Sequence, residues 1–232
     1  MKLSIIIPCY NEEKTINEVI FKINKVCIYD KEIIVIDDCS TDRSSEILEI
    51  LINEKKISVL IKNSENHGKG FSLRRGIERA SGDIILIQDA DLEYDPEDYE
   101  KLVEPILNNV ADIVFGSRFL SSEIKRVLYF WHSAGNYLLT TLSNIFSNLN
   151  LTDMENCYKV FKSEIIKKIE LKENRFGIEP EIVAKVSKIK NIKIYEVGVK
   201  YFGRTYLEGK KITWKDGFSA IRCIIYYNLF NK

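Results

Sequence analysis

Three acidic residues follow a strongly apolar run near the middle of the chain. The run Ile84–Ile87 is aliphatic and β-branched, which is typical of a strand buried on both faces of a parallel sheet. Asp89, Asp91 and Glu93 come next at a spacing of two, so that in extended backbone they project to one side. Crowded carboxylates repel one another unless a cation lies between them. The pattern predicts a site for Mg²⁺ or Mn²⁺, completed by a substrate phosphate. The alternative is a solvated acidic loop that caps the helix beginning near Pro96.

Strands and helices alternate through the first half of the chain, and this alternation would position the acidic residues. It favours a Rossmann-like, doubly wound and mostly parallel sheet with helices on both faces. Ligands bind such sheets at the carboxyl ends of the strands, where Tyr10, Asp38 and Asp89 are predicted to lie. The predicted strands are Leu3–Ile7, Ile33–Ile36, Ile57–Ile61, Ile84–Ile87 and Ile113–Phe115. The predicted helices are Thr15–Val26, Arg43–Ile52, Phe71–Ala80 and Glu97–Leu107.

The second half is predicted to hold two helices, a last strand and an amphipathic helical tail. These are Ser133–Leu149, Ile178–Ile189, Ile192–Tyr201 and Trp214–Phe230. We therefore divide the chain into a main domain, residues 1–211, and a C-terminal amphipathic segment, residues 212–232. The tail is suited to a membrane interface, although it lacks a strongly basic face. Packing against its own domain, or against a partner subunit in a homo-oligomer, is an equal alternative to the membrane interface.

Composition narrows the classes of function. Lys plus Arg and Asp plus Glu number 34 each, so no net field draws the chain to nucleic acid. The five cysteines form no C-x-x-C pair and there are two histidines, which argues against a disulfide framework and a zinc site. We expect a cytoplasmic protein, because the N-terminus shows no signal-peptide pattern. No stretch of 18 uncharged apolar residues predicts a membrane span.

A glycine-rich loop, Asn66–Gly70, opens the third predicted helix. It matches neither a Walker A loop nor a dinucleotide-binding fingerprint, because residues that these motifs require are missing. Gly68 and Gly70 would still allow close backbone approach at a helix N-terminus, where free N–H groups favour anions. Lys69 would add a positive charge. A phosphate-facing loop and a simple glycine turn both remain open.

Three motifs, in this order and spacing, resemble the family 2 glycosyltransferases of the GT-A fold: Ile5–Glu12, Ile36–Asp42 and Asp89–Asp91. Gly-Ser-Arg-Phe at 116–119 and the loop around Arg204 narrow the resemblance to polyprenyl-phosphate hexose synthases, the dolichyl-phosphate mannose synthase-like branch. The resemblance covers most of residues 1–210. It implies a GT-A fold and metal-dependent, inverting transfer of one hexose from UDP- or GDP-hexose to polyprenyl phosphate. The expected location is the cytoplasmic membrane face, through peripheral contact or a membrane subunit.

The resemblance also assigns roles to single residues. Those expected from it to bind the sugar nucleotide are Pro8, Tyr10, Glu12 and Asp38, and we add Lys69, Asp89 and Ala90 to this predicted site. Those expected to hold the metal are Asp89, Asp91 and Glu93. Arg118 and Arg204 are expected to bind phosphates, including that of the acceptor. Glu93 stands where mannose synthases usually carry Gln, which leaves the donor sugar open.

Two carboxylates of the second half complete the predicted catalytic set of Asp91, Glu179 and Asp153. Glu179 stands where family 2 enzymes that glycosylate hydroxyls often place a base. A role at the start of a helix, beside Pro180, is an equal alternative. Asp153 is expected to line the sugar pocket.

The predicted chemistry is displacement at the anomeric carbon. A divalent ion held by Asp89 and Asp91 would stabilise the charge that develops on the leaving nucleoside diphosphate. One alternative is a family 2 enzyme that glycosylates a saccharide hydroxyl in envelope polysaccharide synthesis. A sugar nucleotidyltransferase also uses paired carboxylates, but it would normally carry a glycine-rich loop after the first strand. A sugar-nucleotide-binding subunit without catalysis is the last alternative.

Overall fold

The computed structural model describes residues 1–26, 30–120, 126–127, 129–205, 209 and 214–230. The boundary predicted between residues 211 and 212 lies outside these ranges. Within them, seven strands form one sheet in the order β3-β2-β1-β4-β6-β5-β7. The strands are β1 (Lys2–Cys9), β2 (Asp30–Asp37), β3 (Val59–Lys62), β4 (Ile84–Ile87), β5 (Ile113–Ser117), β6 (Lys159–Lys162) and β7 (Ile194–Gly198).

The first four strands are parallel neighbours, as the alternating pattern predicts. Strand β6, which has no counterpart among the predicted strands, runs antiparallel between β4 and β5. Strand β7 pairs with β5 in parallel. The predicted mostly parallel sheet with helices is confirmed. Because β6 lies beside β4, the loop that precedes it reaches the edge of the sheet where the acidic residues are.

The helices are α1 (Ile16–Lys25), α2 (Ser44–Asn53), α3 (Lys69–Arg79), α4 (Tyr99–Leu107), α5 (Phe130–Ser147), α6 (Ser163–Ile166), α7 (Ile178–Val186) and α8 (Trp214–Ile225). Helix α3 lies very close to the sheet. A Cβ atom at Gly76 would stand 2.3 Å from Ile6 Cγ2 and 2.9 Å from Ile36 Cδ1, so a larger residue would force the two layers apart. This contact holds the start of α3, and with it Lys69, at the carboxyl edge of β1 and β2.

Helices α5, α7 and α8 pack against one another beside that edge. Of the alternatives for the tail, the structure shows packing against its own domain. Helix α5 nevertheless presents an apolar surface to solvent: Phe130 is 73% and Trp131 is 81% exposed. In the described part of the chain, no helix combines the length and the apolar character needed to cross a bilayer.

Candidate active site

A cavity of about 740 Å³ lies at the carboxyl edge of the central strands. Loops after β1, β2 and β4 form one wall, the segment before β6 and the start of α7 form another, and residues of α5 and α8 complete the lining. The predicted site residues on its lining are Pro8, Tyr10, Glu12, Asp38, Lys69, Asp89, Ala90, Asp91, Glu93, Arg118, Glu179 and Arg204. The structure therefore brings together residues that are up to about 200 positions apart in the chain.

The guanidinium group of Arg204 lies among the carboxylates that follow β1 and β4. It is 3.0 Å from Glu12 Oε2, 2.5 Å from Asp91 Oδ2 and 3.7 Å from Glu93 Oε1. Glu93 also accepts hydrogen bonds from the Arg204 backbone N–H, at 2.7 Å, and from the Tyr201 hydroxyl, at 3.1 Å. Glu93 thus fastens the segment after β7 onto the end of β4, which is a role that its spacing from Asp91 does not reveal.

Asp91 lies in a strongly negative and buried position. Burial raises the pKa of Asp91 to about 8, and the charges of Asp89 and Glu93 act in the same direction. The Arg204 guanidinium opposes them. Buried carboxylates that repel one another in this way favour the binding of a cation between them.

The donor atoms fit a divalent ion that a substrate shares. Within the described residues, no three His, Cys, Asp or Glu side chains are arranged to hold a metal by themselves. Mg²⁺ is, however, usually bound by one or two carboxylates plus substrate phosphates. Asp91, with Asp89 two residues before it, meets that requirement. The Glu93 carboxylate accepts hydrogen bonds from Arg204 and Tyr201, and its role as a metal ligand stays a prediction.

Lys69 connects two carboxylates across the cavity. Its Nζ is 2.8 Å from Asp89 Oδ1 and 2.8 Å from Glu179 Oε1. Burial alone would raise the pKa of Asp89, but the Lys69 ammonium group lowers it below its usual value. The pKa values of Asp89 and Asp91 are thus shifted in opposite directions, although the two residues are only two positions apart.

The glycine-rich loop packs against its own chain. The backbone N–H groups of His67 and Gly68 donate to the Asp38 carboxylate, at 3.1 and 2.7 Å. A Cβ atom at Gly70 would lie 2.3 Å from the Glu173 carbonyl oxygen, so this glycine allows a close approach between the start of α3 and the segment that contains Glu173. Gly68 has a φ of 102°, which favours glycine. These contacts account for both glycines, while Gly68 and Lys69 also line the cavity, so the phosphate-facing loop stays a prediction.

The same contacts describe Asp38, which lines the cavity at the end of β2. Besides the two backbone N–H groups, its Oδ1 accepts a 2.6 Å hydrogen bond from Asn63 Nδ2. Both carboxylate oxygens are therefore already bonded within the protein. A nucleotide base at this position would have to share them.

Asp153 lies behind the cavity wall rather than on it. It is fully buried, and its carboxylate accepts hydrogen bonds from Arg118 Nε and Nη2, both at 2.6 Å. Asn136 Nδ2 donates a further bond at 3.0 Å. The expectation that Asp153 lines the sugar pocket is thus replaced by a different position, in which it orients Arg118. Arg118 itself lines the cavity and lies over the Tyr201 ring, 5.1 Å from its centroid.

Glu155 lines the cavity two residues further on, and it is absent from the residues predicted from sequence. Its Oε1 atom is buried, and no hydrogen-bond partner for it occurs in the described ranges. Burial raises the pKa of Glu155 to about 8, with the neighbouring charge of Glu179 contributing. Asp153 and Glu155 are two acidic residues in an irregular loop, where no periodicity indicates which side chain faces inward. Only the backbone conformation of this loop determines that Glu155, and not Asp153, faces the cavity.

The fold and the acidic cavity together define an α/β enzyme of the GT-A class. Comparison with known proteins agrees with this class. The family model described as glycosyl transferase family 2 matches residues 4–170. The chain therefore belongs to glycosyl transferase family 2, and it is a glycosyltransferase.

Two curated relatives also support the expected branch of this family. A dolichol-phosphate mannosyltransferase of Pyrococcus furiosus is 30% identical over 91% of this chain, which spans 61% of that protein. A UDP-N-acetylglucosamine–dolichyl-phosphate N-acetylglucosaminyltransferase of Methanococcus voltae is 28% identical, over 97% of this chain and 93% of the relative.

A solved structure supports the fold. The glucosyl-3-phosphoglycerate synthase of Mycobacterium tuberculosis, in complex with Mn²⁺, UDP and phosphoglyceric acid, superposes with a TM-score of 0.75. The match covers 98% of this chain and 78% of the synthase, at 19% identity. At this identity the likeness concerns the fold alone.

Proposed function

We propose that the chain transfers one hexose from a UDP- or GDP-hexose to a polyprenyl phosphate. The observation that carries this proposal is the set of groups that line the cavity. Carboxylates at the end of β4 and the cationic side chain of Arg118 share it with Trp131 at the start of α5. Trp131 is 81% exposed, so the cavity is continuous with the exposed apolar surface of α5. A lipid phosphate combines the same chemistry, an anion on a long apolar chain. The names of the Pyrococcus and Methanococcus relatives state such acceptors.

The donor lies along the strand ends in this proposal. The nucleotide occupies the ends of β1 and β2 between Tyr10 and Asp38, and its diphosphate reaches Asp91 at the end of β4. Mg²⁺ or Mn²⁺, held by Asp91 and Asp89 together with the diphosphate, would neutralise the charge of the leaving group. Arg204 is the protein's own cation at this place, and it would bind phosphate oxygens by its planar fork of donors.

The acceptor phosphate binds at Arg118. Two of the guanidinium nitrogens of Arg118 are bonded to Asp153, which fixes the plane of the group next to the cavity. A phosphate monoester is mostly dianionic above pH ~6, so it attacks the anomeric carbon without a base. Electrostatic orientation by a fixed arginine is then the main requirement.

A saccharide hydroxyl is the second candidate acceptor, and one observation favours it. The Glu179 side chain is 7% exposed, and its Oε2 has no hydrogen-bond partner in the part of the chain that the structure describes. A carboxylate oxygen at this place could accept the proton of an attacking hydroxyl. Its other oxygen is held by Lys69.

Transfer assays with two acceptors test the proposal. The purified protein, Mn²⁺ and radiolabelled UDP-glucose, UDP-N-acetylglucosamine or GDP-mannose are incubated with a short polyprenyl phosphate or with free saccharides. Label in the organic phase with one donor, and none with the Asp91→Asn variant, is the expected result. Label transferred to saccharide and none to polyprenyl phosphate would overturn the assignment of the acceptor.

Peripheral membrane contact through α5 is part of the same proposal. Phe130 and Trp131 are mostly exposed at its start, and Phe218 on α8 is 67% exposed. The double variant Phe130→Ser, Trp131→Ser should reduce co-sedimentation with anionic liposomes several-fold, because burying aromatic rings in the interface drives such binding. Phe21→Ser, which changes a 55% exposed aromatic residue on α1, is the matched control. Equal loss in both variants, or in neither, would exclude α5 as the contact surface.

A further inference from the structure

Glu155 has no role in the machinery described above, and yet it faces the cavity. Its Oε1 is one of two buried cavity-lining carboxyl oxygens that lack a hydrogen-bond partner among the described residues, the other being Glu179 Oε2. Buried polar atoms are nearly always hydrogen-bonded, and leaving one unbonded is costly. Two such atoms on one cavity wall indicate that a ligand with hydroxyl or amide groups supplies the missing bonds.

The backbone on both sides of Glu155 is held in place. Lys159 is fully buried, and its Nζ donates to the carbonyl oxygens of Met154, at 3.0 Å, and Asn156, at 2.5 Å. These carbonyls directly flank Glu155. Asp153, on the other side of Met154, is fixed by Arg118. Such a supporting set of bonds is what a binding residue needs in order to meet its ligand in one defined geometry.

The sheet order indicates which part of the ligand lies there. A sugar nucleotide is linear, with the base at one end, the diphosphate in the middle and the sugar at the other end. Strands β2, β1, β4 and β6 are consecutive neighbours, about 4.8 Å apart. Asp38 follows β2, Asp91 follows β4, and Glu155 precedes the antiparallel strand β6 at the same edge. With the diphosphate at Asp91, the sugar falls at the next strand, beside Glu155.

We propose that Glu155 forms a hydrogen bond with a hydroxyl group of the donor hexose and so determines which sugar the enzyme accepts. This inference rests on the proposed function, because it requires a sugar-nucleotide donor. The charged groups around Glu155 are Glu179, Lys159, Arg118 and Asp153. Burial, together with the charge of Glu179, raises the pKa of Glu155 to about 8. The carboxyl group is therefore mostly protonated at neutral pH. It then both donates and accepts a hydrogen bond, as a sugar hydroxyl does. Glutamine has the same two capacities, whereas leucine has neither.

Binding of donor analogues tests the inference without an acceptor. Isothermal titration with Mn²⁺ measures the affinity for the sugar nucleotide that binds, for its 2-, 3-, 4- and 6-deoxy analogues, and for the free nucleoside diphosphate. The proteins are the unsubstituted chain, Glu155→Leu, Glu155→Gln, and Glu164→Leu, which changes an exposed glutamate on α6. Glu155→Ala is a second variant in case Glu155→Leu does not fold.

The unsubstituted chain should bind one deoxy analogue about tenfold or more weakly than the parent sugar. Glu155→Leu should bind the two about equally and should keep its affinity for the nucleoside diphosphate. Glu155→Gln and Glu164→Leu should retain most of the discrimination. Unchanged discrimination in Glu155→Leu would overturn the inference and leave the proposed function standing. An equal loss of affinity for the nucleoside diphosphate would also overturn it, since a structural defect produces that pattern. If no sugar nucleotide binds the unsubstituted chain, both fail.

Discussion

At the two edges of the central sheet, the pKa values of buried carboxyl groups are shifted in opposite directions. At the amino edge, Glu32 on β2 is 6% exposed and accepts hydrogen bonds from Lys2 Nζ at 2.7 Å, Ser4 Oγ at 2.5 Å and the Ser81 N–H at 2.6 Å. Burial alone would raise the pKa of Glu32, but these bonds lower it to about 2. At the carboxyl edge, burial and like charges raise the pKa of Asp91 to about 8.

The difference lies in where the compensating groups come from. At the amino edge, the chain itself supplies the donors, so that the carboxylate stabilises the folded state. At the carboxyl edge, Arg204 is the main cation near Asp91, and carboxyl oxygens of Glu155 and Glu179 lack partners among the residues described. An arrangement of this kind is costly in the ligand-free protein and becomes favourable only with a bound substrate. Substitutions at the two edges should therefore separate activity from stability.

Asp91→Asn should give the largest effect on activity and almost none on the fold. Without this carboxylate the leaving diphosphate loses its metal-assisted stabilisation, and we expect transfer to fall about 10³-fold or more. The melting temperature should stay the same or rise, because one member of a repelling group of carboxylates becomes neutral. Transfer assays at saturating Mn²⁺ and thermal denaturation measure the two quantities. Normal turnover would contradict the metal assignment, and a large fall in melting temperature would contradict the comparison of the edges.

Much of this carboxyl edge could be predicted from sequence because strand ends are local features. Asp38 and Asp89 each follow a run of buried aliphatic residues, and the rule that ligands bind at the carboxyl ends of parallel strands brings them together. The glycine-rich loop could not be interpreted in this way. Gly68 and Gly70 contact residues 173–175, about 100 positions away, and no local pattern indicates such a contact.

The loop before β6 shows a second limit. Asp153 and Glu155 are both acidic and two positions apart, yet one orients Arg118 and the other faces the cavity. The backbone path decides which of the two residues faces the cavity. The buried Lys159 ammonium group holds that path by its hydrogen bonds to the carbonyl groups of Met154 and Asn156. A lysine in a strand ordinarily indicates an exposed position, so the sequence pattern does not predict this role.

Arg204→Ala tests whether this arginine is a substitute cation at the carboxyl edge. Its guanidinium group lies 2.5 Å from Asp91 Oδ2 and 3.0 Å from Glu12 Oε2, so a divalent ion at Asp91 has to compete with it. Removing the arginine should strengthen Mn²⁺ binding in the absence of nucleotide, by about tenfold, because the negative charge of the carboxylates is no longer compensated. Transfer should nevertheless fall, since a phosphate ligand is lost.

Titration of Mn²⁺, followed by electron paramagnetic resonance of the free ion, measures the affinity directly. The matched control is Arg222→Ala, which removes an exposed arginine paired with Glu173 at 2.8 Å. Weaker Mn²⁺ binding in Arg204→Ala than in the unsubstituted chain would show that Arg204 supports the ion instead of replacing it.

Arg118 and Glu179 separate the two acceptors at the same edge. Arg118→Ala would leave the fully buried Asp153 carboxylate unpaired, at a cost of about 3–5 kcal/mol, so Arg118→Lys is the better variant. Lysine keeps the charge but loses the two-pronged bond to Asp153, and transfer to polyprenyl phosphate should fall about ten- to a hundredfold. Glu179→Gln should cost about tenfold or less, because a phosphate needs no general base.

Single-turnover kinetics with radiolabelled donor compare the two variants directly. The unfolding free energy of each is measured beside them, so that a misfolded variant is not counted. A profound loss in Glu179→Gln beside a mild loss in Arg118→Lys would favour a hydroxyl acceptor and reverse the proposal.

Glu32→Gln, at the opposite edge, should leave transfer at pH 7 unchanged and lower stability. The folded-state pKa of Glu32, about 2, lies below the ordinary value of 4.5, so its contribution to stability is present above pH 4.5 and is lost as the pH falls from about 4.5 to 2.

Urea denaturation at pH 7 should show the Glu32→Gln variant to be about 1–3 kcal/mol less stable, because charged hydrogen bonds are lost. The two curves should converge below pH 2, where the carboxyl group becomes protonated in both states. Glu97→Gln, which breaks the exposed pair with Lys200, is the control and should change little. If the loss of unfolding free energy in Glu32→Gln were the same at pH 2.5 and pH 7, Glu32 would act by shape and packing rather than by charge. The proposed contrast between the two edges of the sheet would then be wrong for the amino edge.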